Sequence, residues 1–245
     1  MTRLSVNLNK IALLRNSRES GLPSVTRAAE VSIAAGALGI TVHPRPDQRH
    51  IRPGDVHDLS RLLDARPGIE FNIEGNPFHN LMQLALEVRP DQCTLVPDEA
   101  GALTSSFGWA LPERAAELEP LVKRLKDAGI RVSLFMDPRP EAMRLARDLG
   151  ADRIELYTEA YASHPDDAAV LASYVESAQA AREAGLGVNA GHDLNLVNVG
   201  RFVSAAAPID EVSIGHALVG DALEIGLASA VRAYVAALAA GKVEA

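Results

Sequence analysis

Seven histidines occur in this 245-residue chain, and three of them stand within about two residues of where a short run of strand-forming residues stops. His43 follows Ile40, Thr41 and Val42 and precedes Pro44. His192 follows Val188 to Gly191, and His216 follows Ser213 to Gly215. β-Branched runs read as strands, and a proline marks their end, so these imidazoles stand at strand exits. Imidazole titrates near neutral pH, which suits it to moving protons on and off carbon and oxygen. Arg45, Arg49 and His50 follow His43 in a loop that Pro44 and Pro46 keep from becoming a helix. Guanidinium groups beside a proton-transfer group point to anionic substrates. Glu70 lies in the run Ile69 to Ile73, where alternation sets it on one face with Asn72. It is expected to point into the interior near the mouth, where partial desolvation suits a carboxyl to proton transfer. Glu155 makes the same claim from a later strand.

The elements that must position these groups alternate with little filler. Strands are predicted over 4–8, around Ile40, and over 69–73, 92–96, 131–135, 153–157, 187–190 and 211–214. Helices are predicted from Ile11, from Val25 behind an N-cap at Ser24, and over 53–65. Others follow from the Asn76–Pro77 pair to Val88, over 112–128, 138–149, 166–184 and 196–205, and over 217–240 with breaks near Gly220 and Gly226. Eight strands in strict alternation with helices require parallel crossovers and close most naturally into an eight-stranded β/α (TIM) barrel with extra helices, a single domain over 1–245. An open doubly wound sheet fits less well, because no Gly-x-Gly-x-x-Gly follows an early strand. The stretch from Pro97 to Leu111 carries no period and is longer than most βα loops, which marks it as functional or mobile.

Barrels collect catalytic groups at the carboxyl ends of their strands, and they often bind phosphate between the loops after strands seven and eight. Gly191 and Gly215 stand at those two exits, where backbone N–H groups and a short helix from residue 216 could face an anion.

A formal charge of −8 disfavours a general nucleic-acid or anionic-membrane surface, so any phosphate must find a local basic pocket. Cys93 is the only cysteine, and its apolar neighbours make it a core thiol. The amino terminus lacks a signal-peptide core, and no apolar stretch approaches the roughly 20 residues needed to span a bilayer, so a soluble, cytoplasmic protein is expected.

These residues resemble the pyridoxine 5′-phosphate synthase family over nearly the whole length. The resemblance is carried by Val6–Leu8 with Arg15, Asn16 and Arg18, by Gly39–His43 with Arg45, Arg49, His50 and Ile51, and by Glu70–Pro77. It continues through Leu95–Pro97, Val132–Phe135, Asn189–His192 and Ile214–Ala217. It implies a transferase of vitamin B6 biosynthesis that condenses 1-deoxy-D-xylulose 5-phosphate with 3-amino-2-oxopropyl phosphate to pyridoxine 5′-phosphate, inorganic phosphate and water. It also implies a homo-octamer built from dimers and no metal or organic cofactor. It assigns His43 and Glu70 as proton acceptors and His192 as proton donor, with Asn7, Arg18, Arg45, His50, Thr104, Gly215 and His216 contacting substrate or product.

Three positions depart from the family's pattern. Many relatives have Asp and His where this chain has Asn9 and Lys10, and Lys10 can still face a phosphate. Many have glycine where this chain has Asp193, whose carboxylate must turn away from any phosphate, leaving its N–H as the expected contact.

Three other readings compete with this one. The first is another barrel enzyme handling a phosphosugar, an isomerase or a lyase such as an aldolase; a Schiff-base aldolase needs a lysine within a strand, and Lys10, Lys123, Lys126 and Lys242 all lie outside the predicted strands. A metal-dependent hydrolase would show a His-x-His pair, and none is present. A non-catalytic binder of phosphorylated ligands would tolerate loss of His43 or Glu70.

Overall fold

The computed structural model describes all residues except Ala100, Leu103, Thr104 and 242–245. Eight parallel strands close into one barrel in sequence order: β1 (Arg3–Asn7), β2 (Gly39–Val42), β3 (Glu70–Gly75), β4 (Gln92–Leu95), β5 (Arg131–Met136), β6 (Arg153–Leu156), β7 (Gly187–Gly191) and β8 (Glu211–Ile214), with β8 paired back onto β1. The expected TIM-barrel architecture is therefore present. Around it lie α1 (Asn9–Asn16), α2 (Val25–Ala34), α3 (Pro53–Asp64), α4 (Leu81–Val88), α5 (Ala115–Asp127), α6 (Pro140–Asp148), α7 (Glu159–Ser163), α8 (Ala168–Glu183), α9 (Val199–Ala205), α10 (His216–Ile225) and α11 (Leu227–Ala240).

Local chemistry accounts for most boundaries. Ser24 caps α2 by accepting from the Arg27 N–H at 3.2 Å, and Gly36 ends it at φ +108°. Most other boundaries shift by one to three residues from expectation, β3 running over Glu70–Gly75, and three differences are larger in kind. Residues 77–80 form turns, and α4 begins only at Leu81. Gly220 is absorbed into α10, and the chain breaks only at Gly226, where φ is +82°. The short helix α7, between β6 and α8, carries no periodic signal of its own.

Alternation divides each strand cleanly. Val6, Ile40, Val42, Phe71, Ile73, Cys93 and Leu95 face the helices and are buried in a continuous apolar core. Burial pushes the Cys93 thiol up, as befits an inert core residue. The opposite face fills the barrel with polar groups. Ser5 and Thr41 share a 2.7 Å hydrogen bond, and Thr94 donates to Asn72 at 3.0 Å.

Five strands begin with a charged residue: Arg3, Glu70, Arg131, Arg153 and Glu211. These meet at the amino end of the barrel, where Glu70 pairs with Arg3 and Arg131 and lies 4.0 Å from Arg153. Glu211 is buried beside them. Burial first, and then the charge of Glu70, push its carboxyl up to about 7, against partial offset from the three arginines. The unfolded chain would release that proton near the ordinary value of 4.5, so the native state holds more protons between these limits. Stability is therefore lost as pH rises through that window, by about 3 kcal/mol at 1.36 kcal/mol per unit. Denaturant titrations between about pH 5 and pH 8 should show this loss in the native sequence and a flatter curve for Glu211→Gln. Equal slopes for the two proteins would refute this account.

Candidate active site

At the carboxyl end of the barrel, side chains from seven of the strand exits line a cavity of about 720 Å³. Asn7 comes from β1, with Asn9 and Lys10 following at the start of α1. His43, Arg45, Arg49 and His50 follow β2, Glu74 comes from β3, and Ser105 from the loop after β4. Glu155 and Tyr157 come from β6, His192 and Asp193 follow β7, and Gly215 and His216 follow β8. Residues far apart in sequence are thus brought to one mouth by a common alternation.

Glu70 is not among them. It was expected at the mouth, but it is the first residue of β3, at the amino end of the barrel and held there by arginines. Alternation identified its face correctly and its height wrongly. The inward acid of β3 that reaches the cavity is Glu74, which accepts from Asn7 Nδ2 at 3.0 Å and lies 3.8 Å from His43 Nδ1. Its signal was present in the sequence, four residues on, immediately before Gly75, Asn76 and Pro77 end the strand. Arg18 is exposed and does not line the cavity. Thr104 lies outside the described residues.

The two histidines expected to move protons have opposite electrostatics. His43 is buried, and its proton affinity is well below the ordinary value of 6.5, through burial first and then the charges of Arg45, His50, His192 and Arg49. A neutral imidazole of this kind accepts a proton. At His192 burial also favours the neutral form, but the Asp193 carboxylate, 2.9 Å from Nδ1, overcomes it with help from Glu74 and Asp98, and the net shift is upward. A cationic imidazole donates. Titratable groups whose surroundings push them apart mark base and acid. Burial raises both Glu74 and Glu155, and Glu155 is raised further by the charge of Glu74.

The anion-facing groups are equally defined. His50 is pushed down to about 4, by burial first and then by Arg45, Arg49 and Lys10. Its Nδ1 accepts from the Ile51 N–H at 2.9 Å, so the ring is neutral with its proton on Nε2, a donor suited to phosphate oxygen. Arg45 lines the cavity, but its guanidinium pairs with Asp98 and donates to the Ala102 carbonyl at 2.9 Å. It ties the loop after β2 to the 97–111 stretch, where Ser105 also donates to Asp98 at 2.9 Å. Gly215 precedes α10, whose first-turn N–H groups have no acceptor within the helix. Gly191 is required by close approach, since a Cβ there would overlap the Ser213 carbonyl. The Asp193 N–H, expected to meet an anion, is instead donated to the Gly191 carbonyl at 2.8 Å, with Thr158 Oγ1 at 3.4 Å. Asn9 accepts from the His43 N–H at 2.9 Å, fixing the backbone that carries the base. Among the described residues, no three His, Cys, Asp or Glu side chains are grouped so as to hold a metal ion.

Residues 4–240 match the family model for the pyridoxal phosphate biosynthesis protein PdxJ. The chain belongs to the PdxJ family. Among relatives named pyridoxine 5′-phosphate synthase, that of Albidiferax ferrireducens is 53% identical, over 98% of this chain and 99% of the relative. That of Porphyromonas gingivalis is 50% identical over 96% and 98%. Two solved structures share the fold at low identity. Phosphoribosyl anthranilate isomerase from Thermus thermophilus has a TM-score of 0.58 at 15% identity, over 97% of this chain and 98% of that one. A Mycobacterium tuberculosis tryptophan synthase structure has a TM-score of 0.66 at 11% identity, over 96% and 92%. PdxJ membership and these barrels agree on architecture, and the resemblance read from the strand-exit residues is to the same family.

Proposed function

We propose that the chain acts as a pyridoxine 5′-phosphate synthase on one undivided barrel domain, joining 1-deoxy-D-xylulose 5-phosphate to 3-amino-2-oxopropyl phosphate. The observation that carries the reading is the meeting on one cavity of a buried His43 whose proton affinity is lowered, the carboxyl of Glu74 and a His192 whose proton affinity is raised. Adding the amine to the ketone, eliminating phosphate and losing water each require a proton to be removed at one atom and delivered at another. His43 and Glu74 serve as proton acceptors, with Glu74 taking the role expected of Glu70. His192 delivers protons to departing oxygens. Two phosphorylated substrates need two anion sites. Lys10, Arg49 and the His50 Nε2–H form one, and the backbone at Gly215 with the start of α10 forms the other.

Purified protein should release inorganic phosphate only when both substrates are present, with pyridoxine 5′-phosphate identified by mass. Phosphate release from either substrate alone would refute the reading. Assembly as a homo-octamer and action in the cytoplasm are proposed on the same resemblance, and a monomer mass on sedimentation would exclude the former. Among the described residues no helix is long and apolar enough to cross a membrane.

A further inference from the structure

Consecutive residues of a strand point to opposite faces, so neighbours rarely pair side chain to side chain. At the exit of β7 the chain does otherwise. Gly191 is pressed against Ser213, the backbone turns through His192 at φ +60°, and the Asp193 N–H returns to the Gly191 carbonyl at 2.8 Å. A non-glycine residue at that φ is uncommon and costs backbone energy, so the surroundings must hold it. The Gly191 carbonyl accepts from Thr158 Oγ1, which anchors the turn to the exit of β6. This tight turn swings the two side chains to the same side, and Asp193 Oδ2 comes to 2.9 Å from His192 Nδ1.

We propose that Asp193 is a positioning residue, its carboxylate fixing the orientation and tautomer of the His192 ring through Nδ1–H. The inference rests on the reading of His192 as proton donor and assigns Asp193 a role other than contacting an anion. The orienting geometry is that of a base or acid held by a third group. Other charged and titratable groups act on His192 from neighbouring elements: Glu74 from β3, Asp98 from the loop after β4, and His43 from β2. The rings of Phe135 and Tyr157 pack edge-on against it, at 6.5 and 6.0 Å between centroids. Glu74 and Asp98 are both acids, so Asp193 is tested against a background that already favours the cation.

The experiment is a proton NMR titration of His192, assigned with His192→Gln, together with pH profiles of kcat and KM. The native protein, Asp193→Asn and Asp193→Glu are compared, each with its fold verified by circular dichroism. In Asp193→Asn the His192 midpoint should fall by about one unit, as expected on losing an adjacent opposite charge. The alkaline limb of kcat should move with it, with kcat about tenfold lower above that limb and KM little changed. Asp193→Glu should recover part of both. An unmoved midpoint, or equal shifts in both variants, would overturn the proposal. If the native protein makes no product while the midpoint still falls, the functional reading fails and the pairing stands. If product forms and neither midpoint nor limb moves, the pairing fails and the function stands.

Discussion

Replacing Glu74 by Gln should lower kcat/KM by about 10² to 10⁴, the usual contribution of a positioned proton-transfer group, while Glu70→Gln should leave it essentially unchanged. Both acids lie on the inward face of β3, four residues apart, and only their height separates them. Glu74 stands in the cavity, held by Asn7 and facing His43. The amide preserves its shape and removes its capacity to take a proton. Glu70 is enclosed by Arg3, Arg131 and Arg153, and its neutralisation leaves three guanidinium groups with less compensation. Breaking such a pair costs 3–5 kcal/mol when fully buried; with Arg3 partly exposed, the expected loss is on the order of 2 kcal/mol. In a chain of this size that is a fall in Tm of about 4 to 8 °C. The two variants should thus separate activity from stability. Loss of turnover in Glu70→Gln at temperatures where it remains folded would contradict the assignment.

The barrel was legible because each strand is a short β-branched or alternating run and each helix carries its own stop, as Ser24 and Gly36 bracket α2. The strand-exit histidines were legible for the same reason: a proline or glycine after an apolar run marks the catalytic end. Height within a strand was not. Alternation has a period of two and sets a face, but where β3 begins is decided by its pairing with β2 and β4, which aligns Glu70 with Gly39 and Glu74 with Thr94. Arg45 illustrates a second limit. Its charge suggested a phosphate contact, but its partner Asp98 lies more than 50 residues away, in a loop without periodic signal. Asp193 illustrates a third. Which of its groups faces the site depends on the φ of His192, a property of the turn rather than of the residue type.

The second large effect concerns His43. Burial and a ring of positive charge keep it neutral well below pH 6.5, so as a base it is competent across the neutral range and is lost only as pH falls below its depressed midpoint. Glu74, which must be ionised to accept a proton, limits activity on the same acid side. His192 must carry its proton, and its upward shift sets the opposite limit above 6.5. His43→Asn should lower kcat/KM by about 10² to 10⁴ at neutral pH without raising KM in proportion. The most direct test is the pH profile of kcat/KM for the native protein with both substrates. We predict a bell, its acid limb set as His43 and Glu74 protonate and its alkaline limb, above 6.5, as His192 loses its proton. A profile falling on one side only, or a His43→Asn protein with native turnover, would contradict acid and base acting together in this cavity.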